Sequence, residues 1–286
     1  MSQPTGVIHD IGYQRYTGPR LGRRPIVGAL YVHGLRAAFG LGRSAKAKVF
    51  PWLIVGVVAV VAAVLTALRA RTGQALVGYA EFTEMLSMLI IFFCAVVAPE
   101  LVSRDLHNGV LPLYFARPLR RQDYALARLA ALVSATFLLL AGPMTVMFVG
   151  AAFSVDRLGA VWDELGDYLV GLGYAAVHAV VFGVLALLVA SLLRRRAVAA
   201  GAIVGSFLLT TPVVGVLMVL PYERATQLAG LASPVTLVGG LGDWAFEPGG
   251  EAEIGGYGPL YALTTLGFVV AGVLLLLARY RKVASK

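Results

Sequence analysis

The residue types that could do chemistry form one dense group and several isolated ones. The dense group runs from Glu100 to Tyr124, where Glu100, Arg104, Asp105, His107, Asn108, Arg117, Arg120, Arg121 and Asp123 stand between two long apolar runs. Val110, Leu111, Leu113, Tyr114, Phe115 and Leu119 are interleaved with them. Arginine at bilayer depth costs roughly 3 kcal/mol even on the gentler insertion scale, so the segment must lie outside hydrocarbon. Its apolar residues are poorly placed in bulk water, so they call for another protein or the membrane interface as a cover. This pattern is suited to docking, not to making or breaking bonds.

The isolated groups add no catalytic set. His9, His33, His107 and His178 sit on separate segments, and no H-E-x-x-H, G-x-S-x-G or G-x-x-x-x-G-K-[ST] pattern occurs. With no phosphate loop the chain has no means of cradling ATP, so neither catalysis nor a cofactor of its own is expected. The single cysteine, Cys94, rules out an intrachain disulfide and a zinc site of several thiolates. Within the apolar runs, apart from Arg128 at the start of one, only Glu84 and His178 are candidates, too few to mark the ion or proton path of a standalone carrier. Gly201 and Gly205 form a G-x-x-x-G that would let two helices approach closely.

The elements that must position the dense segment follow from composition. Of 286 residues 59% are hydrophobic and only 14% charged, with a mean hydropathy of +0.81, which is the balance of an integral membrane protein. The net charge of +9 does not point to nucleic acid, because the basic residues flank apolar runs and do not share one soluble face. At about 20 apolar residues per span, six spans are expected: Phe50–Leu68, Phe82–Ala98, Ala125–Phe153, Tyr168–Leu193, Ala197–Leu220 and Pro259–Leu277. The fold class is therefore all-α and polytopic. Residues 1–49 form an amino-terminal arm, 50–279 the six-helix domain and 280–286 a tail.

Within that frame, Val27, Leu30, Tyr31, Leu35, Ala38 and Phe39 recur at helical spacing with Arg36, Arg43, Lys46 and Lys48 around them. This reads as an amphipathic interfacial helix at the bilayer surface. Pro143 should kink the long third span, and Thr210, Thr211 and Pro212 should break the fifth, with hydroxyls meeting the freed carbonyls. Both positions are candidate hinges. The loop 221–258 is apolar enough for short helices that re-enter the bilayer, either as a gate or as a cover anchored by Trp244. The amino terminus is expected to be retained, since the first apolar run starts too late for a signal peptide.

Basic residues set the orientation. Twenty lie on the side of the amino terminus and only Arg69, Arg71, Arg157 and Arg224 on the other, so both termini are expected in the cytoplasm. Eleven of the fifteen acids fall on the opposite side, among them Asp156, Glu247, Glu251 and Glu253, which agrees.

The run Glu100, Asp105, Gly109, Val110, Leu111, Ala116, Arg117, Pro118, Leu119, Arg120 and Tyr124 resembles the segment between the second and third spans of permease subunits in ATP-binding-cassette exporters of the type-two family. It departs from that pattern at Val110, Pro112 and Ala116. The resemblance implies two permeases, identical or related, above two separate ATPase subunits that bind ATP and magnesium. It also implies that residues 100–124 are a coupling helix docked in an ATPase cleft. Glu100, Arg104, Asp105, Gly109, Val110, Leu111, Leu113, Tyr114, Phe115, Arg117, Pro118, Arg120 and Arg121 would then carry the coupling, the apolar ones as a plug and the arginines as its rim. Pro143, Pro212 and Trp244 would serve gating. On this reading the chain is a permease of the bacterial cytoplasmic membrane moving an amphiphilic or lipid-like cargo, with no ATPase activity of its own. A scaffold passing the motor's strokes to external proteins, or a standalone secondary carrier, are the other classes the residues allow.

Overall fold

The structure is a computed structural model and describes Gly18 and residues 22–116, 118–154, 157–246 and 254–283. Arg117, Asp156, Glu247, Glu251 and Glu253, with most of the arm and the end of the tail, lie outside the described residues. The regular elements among them are all helices, without strands. Six helical stretches are long and apolar enough to cross a membrane: Ala45–Thr72, Ser87–His107, Arg121–Ala152, Gly159–Leu192, Arg196–Val219 and Gly255–Lys282.

The first helix, α1 (Arg23–Ala38), ends in a left-handed turn at Gly40, φ +67°, where the Leu41 N–H reaches the Arg36 carbonyl at 2.8 Å. A side chain at Gly40 would come within 2.8 Å of the Ala47 carbonyl oxygen, so glycine is required for the chain to fold straight back into α2 (Ala45–Thr72). The apolar face of α1 is half-buried or buried against α7 and α4, with Leu30, Gly34 and Ala38 enclosed. Protein therefore covers the face that the sequence assigns to the bilayer surface. At Gly34 the approach to α7 is so close that an added methyl would lie 2.8 Å from the Ala131 methyl.

The second apolar run is not one helix from Phe82. It divides at Leu86 into α3 (Tyr79–Met85) and α4 (Ser87–Leu101). Leu86 is buried and neither Gly nor Pro stands beside it, so no helix breaker marks the joint in sequence. Two five-residue helices follow, α5 (Ser103–His107) and α6 (Leu111–Phe115). Then come the two longest helices, α7 (Arg121–Ala152) and α8 (Leu158–Leu192). Helix α8 starts ten positions before the expected span, carrying Asp163, Glu164 and Asp167 on regular helix. α7 continues unbroken through Pro143.

The fifth span divides as the Thr-Thr-Pro sequence implies, into α9 (Arg196–Leu208) and α10 (Thr211–Val219), and the hydroxyls of Thr210 and Thr211 donate to the Phe207 carbonyl at 2.9 and 3.5 Å. The 221–258 connection contains α11 (Glu223–Ala229), a 3-10 turn at Gly230–Ala232, α12 (Pro234–Ala245) and a second turn at Gly255–Tyr257, before α13 (Gly258–Val283). It folds onto the bundle: the Tyr174 hydroxyl donates to the Val238 carbonyl at 3.2 Å and that of Tyr261 to the Gln227 carbonyl at 2.9 Å. Gly242 and Gly240 make room for these rings, a methyl at either meeting them at 2.7 or 2.4 Å.

The core lies where α4, α7 and α8 meet, around Phe93, Leu132, Leu140, Phe182 and Leu187. α2, α9 with α10, and α13 surround it and turn Val60, Val216 and Leu263 outward, at 63%, 65% and 66% exposure. An apolar outer surface of that extent suits lipid, not water.

Candidate functional site

One end of the bundle gathers the start of α7, the start of α9, the ends of α4, α8 and α13, and helices α1, α5 and α6. The dense polar segment lies here. Gly109 adopts φ +63° and closes α5, with the Val110 N–H on the Asp105 carbonyl at 3.3 Å, so the chain reverses sharply from α5 into α6. The Ser103 hydroxyl donates to the Ala190 carbonyl at 2.9 Å, tying α5 to the end of α8. Asp105 then fixes α5 to α7: its Oδ2 accepts from the Tyr124 hydroxyl and from Arg128 Nη2, both at 2.7 Å. Arg128 is 97% buried and stacks over the Tyr124 ring, 5.3 Å from its centroid. The hairpin is thus clamped to the spans by a buried ion pair.

Glu100, at the end of α4, collects three arginines from three separate segments. Arg43 precedes α2, Arg196 opens α9, and Arg104 lies one turn on in α5 at 3.1 Å. Asp123 works at the start of α7, where its carboxylate accepts the Arg120 N–H at 3.0 Å, as a capping residue does. It also takes Arg23 in a fork at 2.6 and 2.5 Å, which fastens α1 to α7 and holds the Arg23 guanidinium above its usual pKa. Arg121 Nη1 donates to the Arg281 carbonyl at 2.9 Å, joining the starts and ends of two spans.

The expected apolar plug is narrower in the structure than in the sequence. Leu111 is buried within the chain itself, and Tyr114 and Phe115 are half-buried, their rings 5.6 and 6.3 Å from that of Tyr124. Val110 is half-buried too, whereas Leu113 stands out at 70% exposure. Arg104, Pro118 and Arg120 are exposed as well, and Arg104 lines one cavity with Leu113. Glu100 and Asp105, which the resemblance assigns to coupling, are instead engaged inside the chain. The partners of Glu100, Asp105 and Asp123, which are Arg23, Arg43, Arg128 and Arg196, come from separate parts of the chain, and nothing in their spacing in the sequence pairs them with these carboxylates.

Between α1, the α1–α2 turn, the α5–α6 hairpin and α7 lies a cavity of about 1180 Å³, lined among others by His33, Arg36, Arg43, Glu100, Arg104, Asp105, Asn108, Leu113 and Arg128. Burial, and then the charge of Arg128, hold the His33 imidazole below its ordinary pKa.

The opposite end carries a second charged cluster. Arg69 forks onto Glu164 at 2.8 and 2.5 Å, and the Tyr79 hydroxyl donates to the same carboxylate at 2.5 Å. Burial followed by that hydrogen bond pushes the Tyr79 hydroxyl well above its ordinary pKa. Glu84 accepts from the Tyr174 hydroxyl, and His178 is packed between Tyr174 and Phe182 with Ser87 Oγ 3.4 Å from its Nε2. Trp244, 45% exposed, closes over Gly258 at the start of α13, where a methyl would lie 2.1 Å from the indole. Pro143 lines a groove between α2 and α7. Pro143, Pro212 and Trp244 lie on three separate helices, α7, α10 and α12. Among the described residues no three His, Cys, Asp or Glu side chains converge to hold a metal ion.

No protein-family model matches this chain, and no curated protein matches it.

Proposed function

We propose that this chain is the membrane-spanning permease subunit of an ATP-driven exporter, taking force at the α5–α6 hairpin from a separate ATPase that binds the nucleotide and magnesium. It works beside a second permease, a copy or a relative, in the cytoplasmic membrane of a bacterium, with both termini inside and no catalytic group of its own. The observation that carries this reading is the clamp at Asp105. A short helical hairpin with one projecting leucine is joined through Asp105, Tyr124 and Arg128 to α7, and through Ser103 to α8. A push on Leu113 would be passed to two spans as a rigid-body displacement. Arg104, exposed on the cavity that Leu113 also lines, supplies polar surface of the kind that borders the apolar centre of an interface. Helix α1 would lie beside the hairpin on the cytoplasmic side, and the 221–258 helices would cover the outer mouth of the pathway.

The test is recovery of the partner. The full chain, isolated from its native membranes in mild detergent, is expected to bring an ATPase subunit with it. Leu113→Asp should release that subunit while buried Cys94 stays protected from a maleimide; Tyr114 and Phe115 are less suited to this test because they pack on Tyr124. Transport by the wild-type chain alone, without ATP or partner, would overturn the reading.

A further inference from the structure

The cavity behind the hairpin holds more positive charge than the chain neutralises. Arg36, Arg43, Arg104 and Arg128 line it against only Glu100 and Asp105. The Arg36 guanidinium has no hydrogen-bond or ion-pair partner among the described residues. Arg128 spends Nη2 on Asp105, yet its Nε is buried with no acceptor, a group that normally finds one. Arg36, on the cavity wall with its guanidinium unengaged, is arranged to receive an anion beside the Arg128 charge, and arginine forks match phosphate.

A second cavity adjoins this one at Leu41, which lines both. It is an apolar groove of about 390 Å³ between α2 and α7, walled by Trp52, Ala59, Leu138, Pro143 and Val146, and at Gly142 nothing lies within 4 Å of where a methyl would be. Trp52, Leu138 and Val146 are 50%, 49% and 53% exposed, so the groove opens on the outer, apolar surface of the bundle. From Trp52 to Ala62 it follows α2 for about 15 Å, at 1.5 Å per residue, the depth of one leaflet of a ~30 Å hydrocarbon core.

We infer that the two cavities form one site for an anionic membrane lipid, its phosphate among Arg36, Arg104 and Arg128 and an acyl chain along the α2–α7 groove. The charge excess calls for an anion, and the continuous apolar groove of leaflet depth calls for a chain attached to it. A free phosphate would satisfy the first feature and leave the second unused. The inference requires that the chain span a membrane, and it stands whether or not an ATPase docks beside it.

Trp52 is a built-in probe, since the other tryptophans, Trp162 and Trp244, lie on α8 and α12 and can be changed to Phe. The full chain with W162F and W244F is purified in detergent, stripped of lipid and titrated with phosphatidylglycerol or phosphatidylcholine carrying brominated acyl chains, which quench nearby indole. Phosphatidylglycerol is expected to quench Trp52 at a severalfold lower concentration. Arg36→Gln should weaken that preference about fivefold, the effect of roughly 1 kcal/mol per basic residue, and Arg36→Lys should largely keep it. Arg24→Gln, on the same helix but outside the cavity, should leave it unchanged. Equal quenching by the two lipids, no quenching by either, or equal loss in Arg24→Gln and Arg36→Gln would each overturn the inference. So would millimolar inorganic phosphate abolishing the preference for phosphatidylglycerol without displacing the bromine from Trp52, because headgroup and chain would then be separate sites.

Discussion

Removing the charge of Asp105 while keeping its shape, Asp105→Asn, is expected to destabilise the bundle more than removing its partner. Arg128 is 3% exposed and would be left charged, with only the Tyr124 ring and an amide near it. Stranding a buried charge in this way costs about 3 kcal/mol or more. The reverse change, Arg128→Met, leaves a carboxylate whose side chain is 14% exposed and which keeps the Tyr124 hydroxyl, so about 1 kcal/mol is the expected loss. The double variant replaces the pair by a neutral amide and a buried thioether, and should recover to within about 1 kcal/mol of the parent, a coupling of roughly 3 kcal/mol. Cys94 supplies the assay. It is the only cysteine and wholly buried, so a maleimide reaches it only when the bundle opens. At about 1.4 kcal/mol per tenfold, Asp105→Asn should speed labelling by roughly a hundredfold, Arg128→Met several-fold, and the double variant little. If Asp105→Asn labels no faster than the parent, or Arg128→Met labels fastest, the clamp does not hold the bundle in the way described.

Gly34→Ala should lower the thermal midpoint and expose α1 to protease, because the new methyl would lie 2.8 Å from that of Ala131 and overpacking of this kind costs about 1–3 kcal/mol; unchanged protection would refute the close crossing of α1 and α7. The protein should also lose stability as pH falls below about 6.5, where the unfolded chain binds a proton at His33 that the folded chain, with its lowered pKa, takes up only at lower pH. Above that pH His33 is neutral in both states and contributes no slope. Arg128, Arg104 and Arg36 resist the proton and Asp105 favours it, so His33→Gln should flatten the decline in melting temperature between pH 7 and 5, and an undiminished slope would locate the titration elsewhere.

The spans were legible because twenty apolar residues in a row is a signal of composition, one that needs no knowledge of neighbours. The break at Thr210 and Thr211 was legible for a different reason: proline removes a hydrogen bond, and the preceding hydroxyls compensate locally. The break at Leu86 was not, since its side chain is buried and no glycine or proline stands beside it. The dense segment likewise announced itself through charges between greasy runs, and Gly109 through its place after a polar turn. Which of its apolar residues point outward could not be read, because helices as short as Ser103–His107 and Leu111–Phe115 show no period. The arginines hid their partners in the same way. Arg43, Arg128 and Arg196 satisfy a rule about membrane sides whichever carboxylate they meet, so their convergence on Glu100 and Asp105 was visible only in three dimensions.

Glu100 finally constrains how the bundle can rearrange. One carboxylate serving guanidiniums from before α2, from α5 and from α9 behaves as a hub, and moving Glu100 away would leave three cations repelling each other with no anchor. The first, second and fifth membrane crossings are therefore expected to travel as a linked set at this end, with freedom of movement reserved for the far ends of the helices. Because this hub is ionic and partly open to solvent, raising the salt concentration is the gentlest way to slacken it.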